Sequence, residues 1–435
     1  MAKTFRDWVP EQSTLLPASV LDWIDPGHLV HFVMALVREQ LDLAGILKTY
    51  DEARGYPPFD PRMMVALLMY AYSQGIYSSR RIAKACQERI DFMALTARQE
   101  PDFRTIALFR LRHLETMKGL FVQVLKLCGK AGLVKLGHVA LDGTKIRANA
   151  SKHKSMSYGR MKKAEKGLEG EIEDWFAKAE VVDREEDEQY GHDRRGDELP
   201  DWVKDKQKRL EKIRQAKAEL EAEAKAAKAA PDPKKTRHEK KPTGVPDDKA
   251  QRNFTDPESR IMKGSECFIQ AYNAQAAVDA DSQIIVAEQL TANGSDMHQL
   301  APMLDQIRKN NGRQAKEASI DAGYCCERNG KEFSRRRIRG YMASRWQKKN
   351  VAGSTDRKPP DKVQGYVRAM WRRLRQGGHR SRYRLRKQVV EPVFGQIKHA
   401  RGFRQFLLRG VKKVAGEWSL LCTVHNLLKL AAVAG

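Results

Sequence analysis

No stretch of this sequence approaches the ~20 consecutive apolar residues that a helix needs to cross a bilayer, so a membrane-spanning protein is not expected. The opening, MAKTFRDWVPEQ, lacks the apolar segment of a secretory signal. Cysteine is sparse and scattered: Cys86, Cys128, Cys267, Cys325, Cys326 and Cys422 form no CxxC pair. That argues against a disulfide framework and against a zinc site, and it fits a reducing cytosol. Acidic residues are also short, 55 Asp and Glu against 80 Lys and Arg, for a formal charge of +25 and a pI near 9.8. Such a surplus calls for a polyanionic partner, with nucleic acid the first candidate and an anionic membrane surface the competitor. What is present is enough apolar material, 41% of 435 residues, to fill the cores of two or three domains.

The organising stretch is Tyr383 to Lys398, YRLRKQVVEPVFGQIK. Val390, Phe394 and Ile397 recur at the spacing of a buried helical stripe. Glu391, Gly395 and Lys398 share a neighbouring stripe, which puts a carboxylate and an ammonium on one accessible face. Pro392 lacks an N–H, so the helix is expected to start or kink near Glu391. Taken alone, Glu391 also reads as a solvated residue on an amphipathic helix.

Residues 1 to about 130 read as helical, and Asp60-Pro61 is a helix start. SSRRIAKACQERIDFMAL suggests a helix capped by Ser78 or Ser79 and carrying Arg80, Arg81 and Lys84. Past Pro101 a second helix begins near Asp102 and carries Arg104, Arg110 and Arg112. The pair reads either as a helix-turn-helix that lays its second member in the major groove or as the basic surface of an ordinary bundle.

From Gly137 the pattern becomes a short strand, HVALD, delivering Asp142, with Gly143 as a turn residue and Thr144, Lys145 and Arg147 after it. Residues 155 to about 250 differ in composition. Met161, Leu168, Ile172 and Trp175 mark one amphipathic helix, and Leu210, Ile213, Leu220, Ala224 and Ala227 another. An acidic connector separates them and a Pro/Lys-rich segment follows, so an inserted antiparallel helical hairpin is expected. Strands resume with FIQAYNAQAAVD and QIIVAEQL, then a helix over DMHQLAPMLDQIRKNN, then EASIDAGY delivering Asp321. The expected strands are 138–142, 267–279, 282–290, 317–321 and 340–344. Basic residues with interleaved aromatics run from 331 to 386, a mixture suited to phosphates and bases.

Strand, hairpin, helix, strand and helix is the order of a ribonuclease H-like mixed sheet, whose strand-end crevice would gather Asp142, Asp321 and Glu391. Three carboxylates brought together need a cation. Oxygen-only ligands suit Mg²⁺, with Mn²⁺ able to substitute. Two such ions about 3.5–4 Å apart can drive an in-line phosphoryl displacement.

VALDGTKIRANAS, TDPESRIMK, AYNAQAAVD, SIDAGY and VVEPVFGQIKHARGFRQFLLRG resemble the signature blocks of bacterial insertion-sequence DDE transposases. More narrowly, they resemble the group within the IS-four and IS-five superfamilies with a helical insertion after the first aspartate, and residues 57 to about 113 resemble that group's amino-terminal domain. The resemblance implies that Asp142, Asp321 and Glu391 are catalytic metal ligands and that Lys398 contacts DNA near the transposon end. In the family a Tyr and an Arg precede the glutamate, the Arg by four residues. Here Tyr383 and Arg386 stand one residue further away, with Arg384 and Lys387 at the expected places.

The full expectation is an α/β protein with a ribonuclease H-like mixed sheet core, an all-helical N-terminal domain and an inserted helical hairpin. Its divisions are a DNA-binding domain over 1–130, a catalytic domain over 135–154 and 250–430, and the insertion with its basic linker over 155–249. The expected DNA contacts are Lys398, Arg401, Arg404, Arg409, Lys145, Arg386, Arg104 and Arg110. The expected activity is metal-dependent cleavage at inverted-repeat ends and strand transfer into target DNA, by a homodimer in the synaptic complex, in the cytoplasm at the nucleoid. A stand-alone nuclease on the same core and a non-catalytic DNA-binding relic are the alternatives.

Overall fold

A computed structural model describes residues 19–50, 58–190, 201–229, 243–264, 267–343, 365–377 and 382–434, with side chains omitted for 175–190 and 201–204. The chain begins with helices α1 (Leu29–Ala35), α2 (Ala44–Leu47), α3 (Pro61–Ser73), α4 (Ser79–Glu88), α5 (Ile90–Leu95), α6 (Phe103–Arg112) and α7 (Leu114–Lys130). The expected starts of α3 and α6 are present: Asp60 and Asp102 each accept the N–H two residues on, at 2.7 Å. The single helix expected over 78–95 is broken. Arg89 is extended, and Asp91 beyond it is buried and held by Arg89 Nε at 3.1 Å and the Tyr70 hydroxyl at 2.6 Å. Holding that pair turns the backbone, and α4 then packs directly on α6.

The sheet comprises β1 (His138–Arg147), β4 (Arg260–Lys263), β5 (Phe268–Asp279), β6 (Ile285–Thr291), β7 (Glu317–Ile320) and β8 (Arg339–Met342). A two-stranded ribbon of β2 (Ser155–Ser157) and β3 (Gln251–Asn253) closes the base of the insertion. β5 runs antiparallel between β1 on one edge and β4 and β6 on the other, whereas β1, β7 and β8 run parallel. The order β6-β5-β1-β7-β8, with three antiparallel strands joined to a parallel set through β1, is a ribonuclease H-like sheet. β1 is longer than expected. It continues through Gly143 to Arg147, all paired with β5, so Gly143 is a strand residue and no turn follows Asp142.

Helices α10 (Leu300–Asn311), α11 (Glu327–Arg335), α12 (Gly365–Gly377), α13 (Leu385–Gly395) and α14 (Val411–Ala434) complete the layers. On α10 the expected stripe Leu300, Met303, Leu304 and Ile307 is fully buried, whereas Met297 precedes the helix. α14 is apolar on nearly every side because it lies between β6 and helices α3 and α7. The buried core is continuous from α1 through the sheet to α14.

The insertion is a long helical pair, α8 (Tyr158–Tyr190) and α9 (Asp201–Ala229), with its own small core of Met161, Leu168 and Ile172 against Leu210, Ile213 and Leu220. Glu165 pairs with Lys217 at 2.6 Å and Glu171 with Lys206 at 2.6 Å, so partners descend on one helix as they rise on the other. The helices are therefore antiparallel. Helix α8 runs on through the acidic stretch to Tyr190, since nothing in 181–190 breaks it. The Trp175 side chain and residues 230–242 lie outside what is described, and Ala227 is exposed. Among the described residues no helix is long and apolar enough to cross a membrane.

Candidate active site

Asp142 and Asp321 are brought together by strand register. β1 and β7 pair in parallel as His138 with Glu317 and Ala140 with Ser319, and each aspartate stands two residues beyond that last pair. Asp321 ends its strand and caps the following turn, its Oδ1 accepting Gly323 N at 2.8 Å. Asp142 remains within β1, its Oδ1 accepting Gly143 N at 2.8 Å.

Glu391 comes from α13. Val390 and Ile397, 0% and 1% exposed, with Phe394 at 9%, seat this region of the chain against the core, and α13 packs on β1 and β5. Pro392 sits inside the helix and removes the N–H that Gln388 O would receive; the Gln283 side chain donates to that carbonyl instead, at 3.3 Å. Glu391 thus stands in mid-helix just before the proline, and the helix continues past Pro392 to a wider turn over Gln396–Ala400.

Arg386 joins these elements. One guanidinium nitrogen donates to Asp142 Oδ2 at 2.5 Å and the other to Glu391 Oε1 at 3.4 Å. Tyr383, buried beside β8, also hydrogen-bonds Arg386. Arg386, one residue from the family's expected spacing, is thus the cation that reaches the carboxylates, while Arg384 and Lys387 are exposed. Burial raises the Asp142 carboxyl to about 7, with Arg386 opposing and Asp321 and Asp296 adding to the rise. Asp321 is raised for the same first reason and likewise opposed by Arg386.

Lys398 turns toward β1, donating to Lys145 O at 3.0 Å and to the Thr144 hydroxyl. Burial, then the nearby Lys145, lowers its ammonium to about 8. It lines a cleft of about 570 Å³ with Lys145, Arg147, Lys263, His399 and Arg404, and among the described residues no acidic side chain borders this cleft. Of the other expected DNA contacts, Arg104 and Arg409 are exposed, and Arg409 Nε donates to Asn149 O at 2.9 Å. Two arginines lie elsewhere than expected. Arg110 is buried, its guanidinium donating to the Tyr72 hydroxyl at 3.1 Å and Tyr77 O at 3.0 Å, near buried Glu417. Arg401 is packed against α14, with Nη2 on His425 Nδ1 at 3.4 Å. Arg110 lies in the interior of the fold, and Arg401 is half-buried.

Sequence reading missed Asn273 and Gln275, which stand opposite Lys145 and Gly143 on β5, and Asp296, to which both amides donate. A signal was present: in AYNAQAAVD the two amides alternate with alanines, polar groups on one face of an otherwise apolar strand.

The donors gathered here are carboxylate oxygens, with neither histidine nor cysteine, a set suited to Mg²⁺ or Mn²⁺. Among the described residues no three His, Cys, Asp or Glu side chains stand close enough together to hold a metal ion as they are, and Arg386 lies between Asp142 and Glu391. The set fits a divalent cation in its chemistry, provided that Arg386 gives way.

A ribonuclease H-like sheet with carboxylates beside a basic cleft defines a nucleic-acid enzyme class. Residues 18–112 match the family model of a transposase domain (DUF772), and residues 232–427 match that of the transposase DDE domain. No curated protein and no solved structure gives a match. The chain belongs to the insertion-sequence DDE transposases; it is a DNA transposase. The DDE match begins after α8 and α9, so Asp142 precedes it and joins the matched sheet through the pairing of β1 with β5 and β7.

Proposed function

We propose that this transposase cleaves the inverted-repeat ends of its insertion sequence and transfers the resulting 3′-hydroxyls into target DNA, with Asp142, Asp321 and Glu391 as the catalytic carboxylates. The observation that carries this reading is Arg386 bound to both Asp142 and Glu391, beside a cleft lined by Lys145, Arg147, Lys263, Lys398 and Arg404. Mg²⁺, when bound, would neutralise the carboxylates and the phosphate oxygens undergoing displacement.

The protein's own groups divide the remaining work. Lys145, Arg147, Lys263, Lys398 and Arg404 hold the phosphodiester backbone and set its register. In the first step a water oxygen bonds to phosphorus, the 3′-oxygen leaves and takes a proton, and the proton lost by the water passes to solvent. In the second, that 3′-hydroxyl oxygen bonds to a target phosphorus and gives up its proton to solvent, while the target's own 3′-oxygen leaves and takes a proton. Arg386, freed from Asp142, pairs with a phosphate oxygen. The N-terminal helices bind DNA, and two copies of the chain bring the two ends together.

The test is joining. DNA carrying the inverted repeats that bracket the gene is incubated with the protein, Mg²⁺ and a supercoiled target. Covalent joining of 3′ ends to the target supports the reading, and cutting without joining would make the protein a nuclease on this core.

A further inference from the structure

Asp296 lies in the loop between β6 and α10, at the head of a segment that the sequence marks only as a helix. The fold carries it to the catalytic carboxylates. Its Oδ1 accepts Asn273 Nδ2 and Gln275 Nε2, each at 2.7 Å, and Lys145 Nζ at 3.3 Å. Three donors on one oxygen fix the orientation of the whole carboxylate. Its Oδ2 takes no hydrogen bond from any described residue.

Two glycines record how closely this carboxylate approaches. A methyl group on Gly143, the residue after Asp142, would collide with Gln275 Nε2 and stand 2.7 Å from Asp296 Oδ1. A methyl group on Gly323, whose N–H holds Asp321, would stand 3.4 Å from Asp296 Oδ2 and 3.0 Å from Asp321 Oδ1. Asp296 is therefore wedged between the backbone that follows Asp142 and the backbone that follows Asp321, with Oδ2 on the Asp321 side.

A purely structural aspartate would serve here through Oδ1 alone. An asparagine could accept the same three donors through its Oδ1, without the charge that pairs with Lys145. The anionic Oδ2 is what such a role leaves unused.

We propose that Asp296 is a fourth carboxylate of the catalytic centre, adding its Oδ2 charge to the site where Asp142 and Asp321 hold a divalent cation. This rests on the reading of those aspartates as cation ligands. Through Oδ1 the same residue holds Lys145 at the mouth of the basic cleft, so one side chain ties the carboxylates to the phosphate-binding face.

The test is Mn²⁺ binding by the full-length chain, followed by titration calorimetry and by the Mn²⁺-induced rise in Tm, each variant compared with its own metal-free melt. Asp296→Asn keeps the Oδ1 acceptor and removes the charge. It is expected to weaken Mn²⁺ by roughly tenfold or more and to shrink the Tm rise. Because each Tm rise is internal to its variant, a lower starting stability does not blur the result. Wild-type Mn²⁺ affinity in Asp296→Asn, alongside lost affinity in Asp142→Asn, would reduce Asp296 to a structural residue. If Asp142→Asn also bound Mn²⁺ as the wild type does, the aspartates would not be cation ligands, and this proposal would fall with that reading.

Discussion

Arg386 donates to Asp142 at 2.5 Å across 244 residues of sequence, and both side chains are more than four-fifths buried. The pair supplies the positive charge that a cluster of carboxylates requires, from within the chain. A metal ion entering here competes with a guanidinium. Arg386→Met is expected to tighten Mn²⁺ binding by roughly tenfold, because a unit charge a few ångströms away is worth more than about 1.4 kcal/mol at an effective dielectric near 20. The same variant is expected to lose end joining. Calorimetry in which Arg386→Met binds Mn²⁺ more weakly than the wild type would show that the arginine supports the cation site instead of competing for it.

The arginines and lysines divide into two groups that a salt titration separates. Lys398→Ala or Arg404→Ala is expected to weaken binding to any duplex and to lower the slope of log affinity against log salt by roughly 0.9 per contact. Arg110→Met is expected to leave the slope unchanged and to cost about 3 kcal/mol or more of stability, because Glu417, which accepts Leu407 N at 3.0 Å, loses its buried counter-charge. Equal slopes for Lys398→Ala and the wild type would assign Lys398 to the fold.

Much of this arrangement was legible in the sequence, and the exceptions share a cause. Asp60 and Asp102 cap their helices through the next residues in the chain, and Val390, Phe394 and Ile397 show their burial by spacing. Local patterns of that kind survive folding. Gly143 looked like a turn because glycine is ambiguous between a turn and a close approach; only β5, which brings Gln275 against it, decides. Arg110 and Arg401 looked like surface residues because their partners, Tyr72 and His425, lie in distant helices. Helix α14 has no amphipathic period to find, since it is covered on nearly all sides.

His425 gives the protein a defined acid sensitivity. It is 2% exposed, its Nε2 donates to Gln283 O at 2.9 Å, and burial, then Arg401, with Lys429 adding, lower its pKa to about 3. The folded imidazole stays neutral, while the unfolded one gains a proton below about 6.5. This contribution is therefore complete above pH 6.5 and is lost as pH falls from 6.5 toward 3. Relative to His425→Gln, the wild type is expected to lose roughly 2 kcal/mol of unfolding free energy between pH 7 and pH 5. Urea melts of the two proteins that shift in parallel would contradict a neutral buried histidine.

The helical insertion has its own small core and stands on the β2–β3 ribbon. Replacing residues 160–245 with a short Gly/Ser linker is expected to leave a folded protein that binds metal but pairs transposon ends poorly. Collapse of the whole thermal transition on deletion would place the hairpin within the cooperative core.

The most direct measurement compares Asp142→Asn, Asp321→Asn and Glu391→Gln with the wild type in joining inverted-repeat ends to a target with Mg²⁺ present, while duplex binding is followed in parallel. Each variant is expected to bind DNA nearly as the wild type does, because binding rests on Lys and Arg, and to form no joined product. Wild-type joining by any one of the three would contradict the active site assigned here.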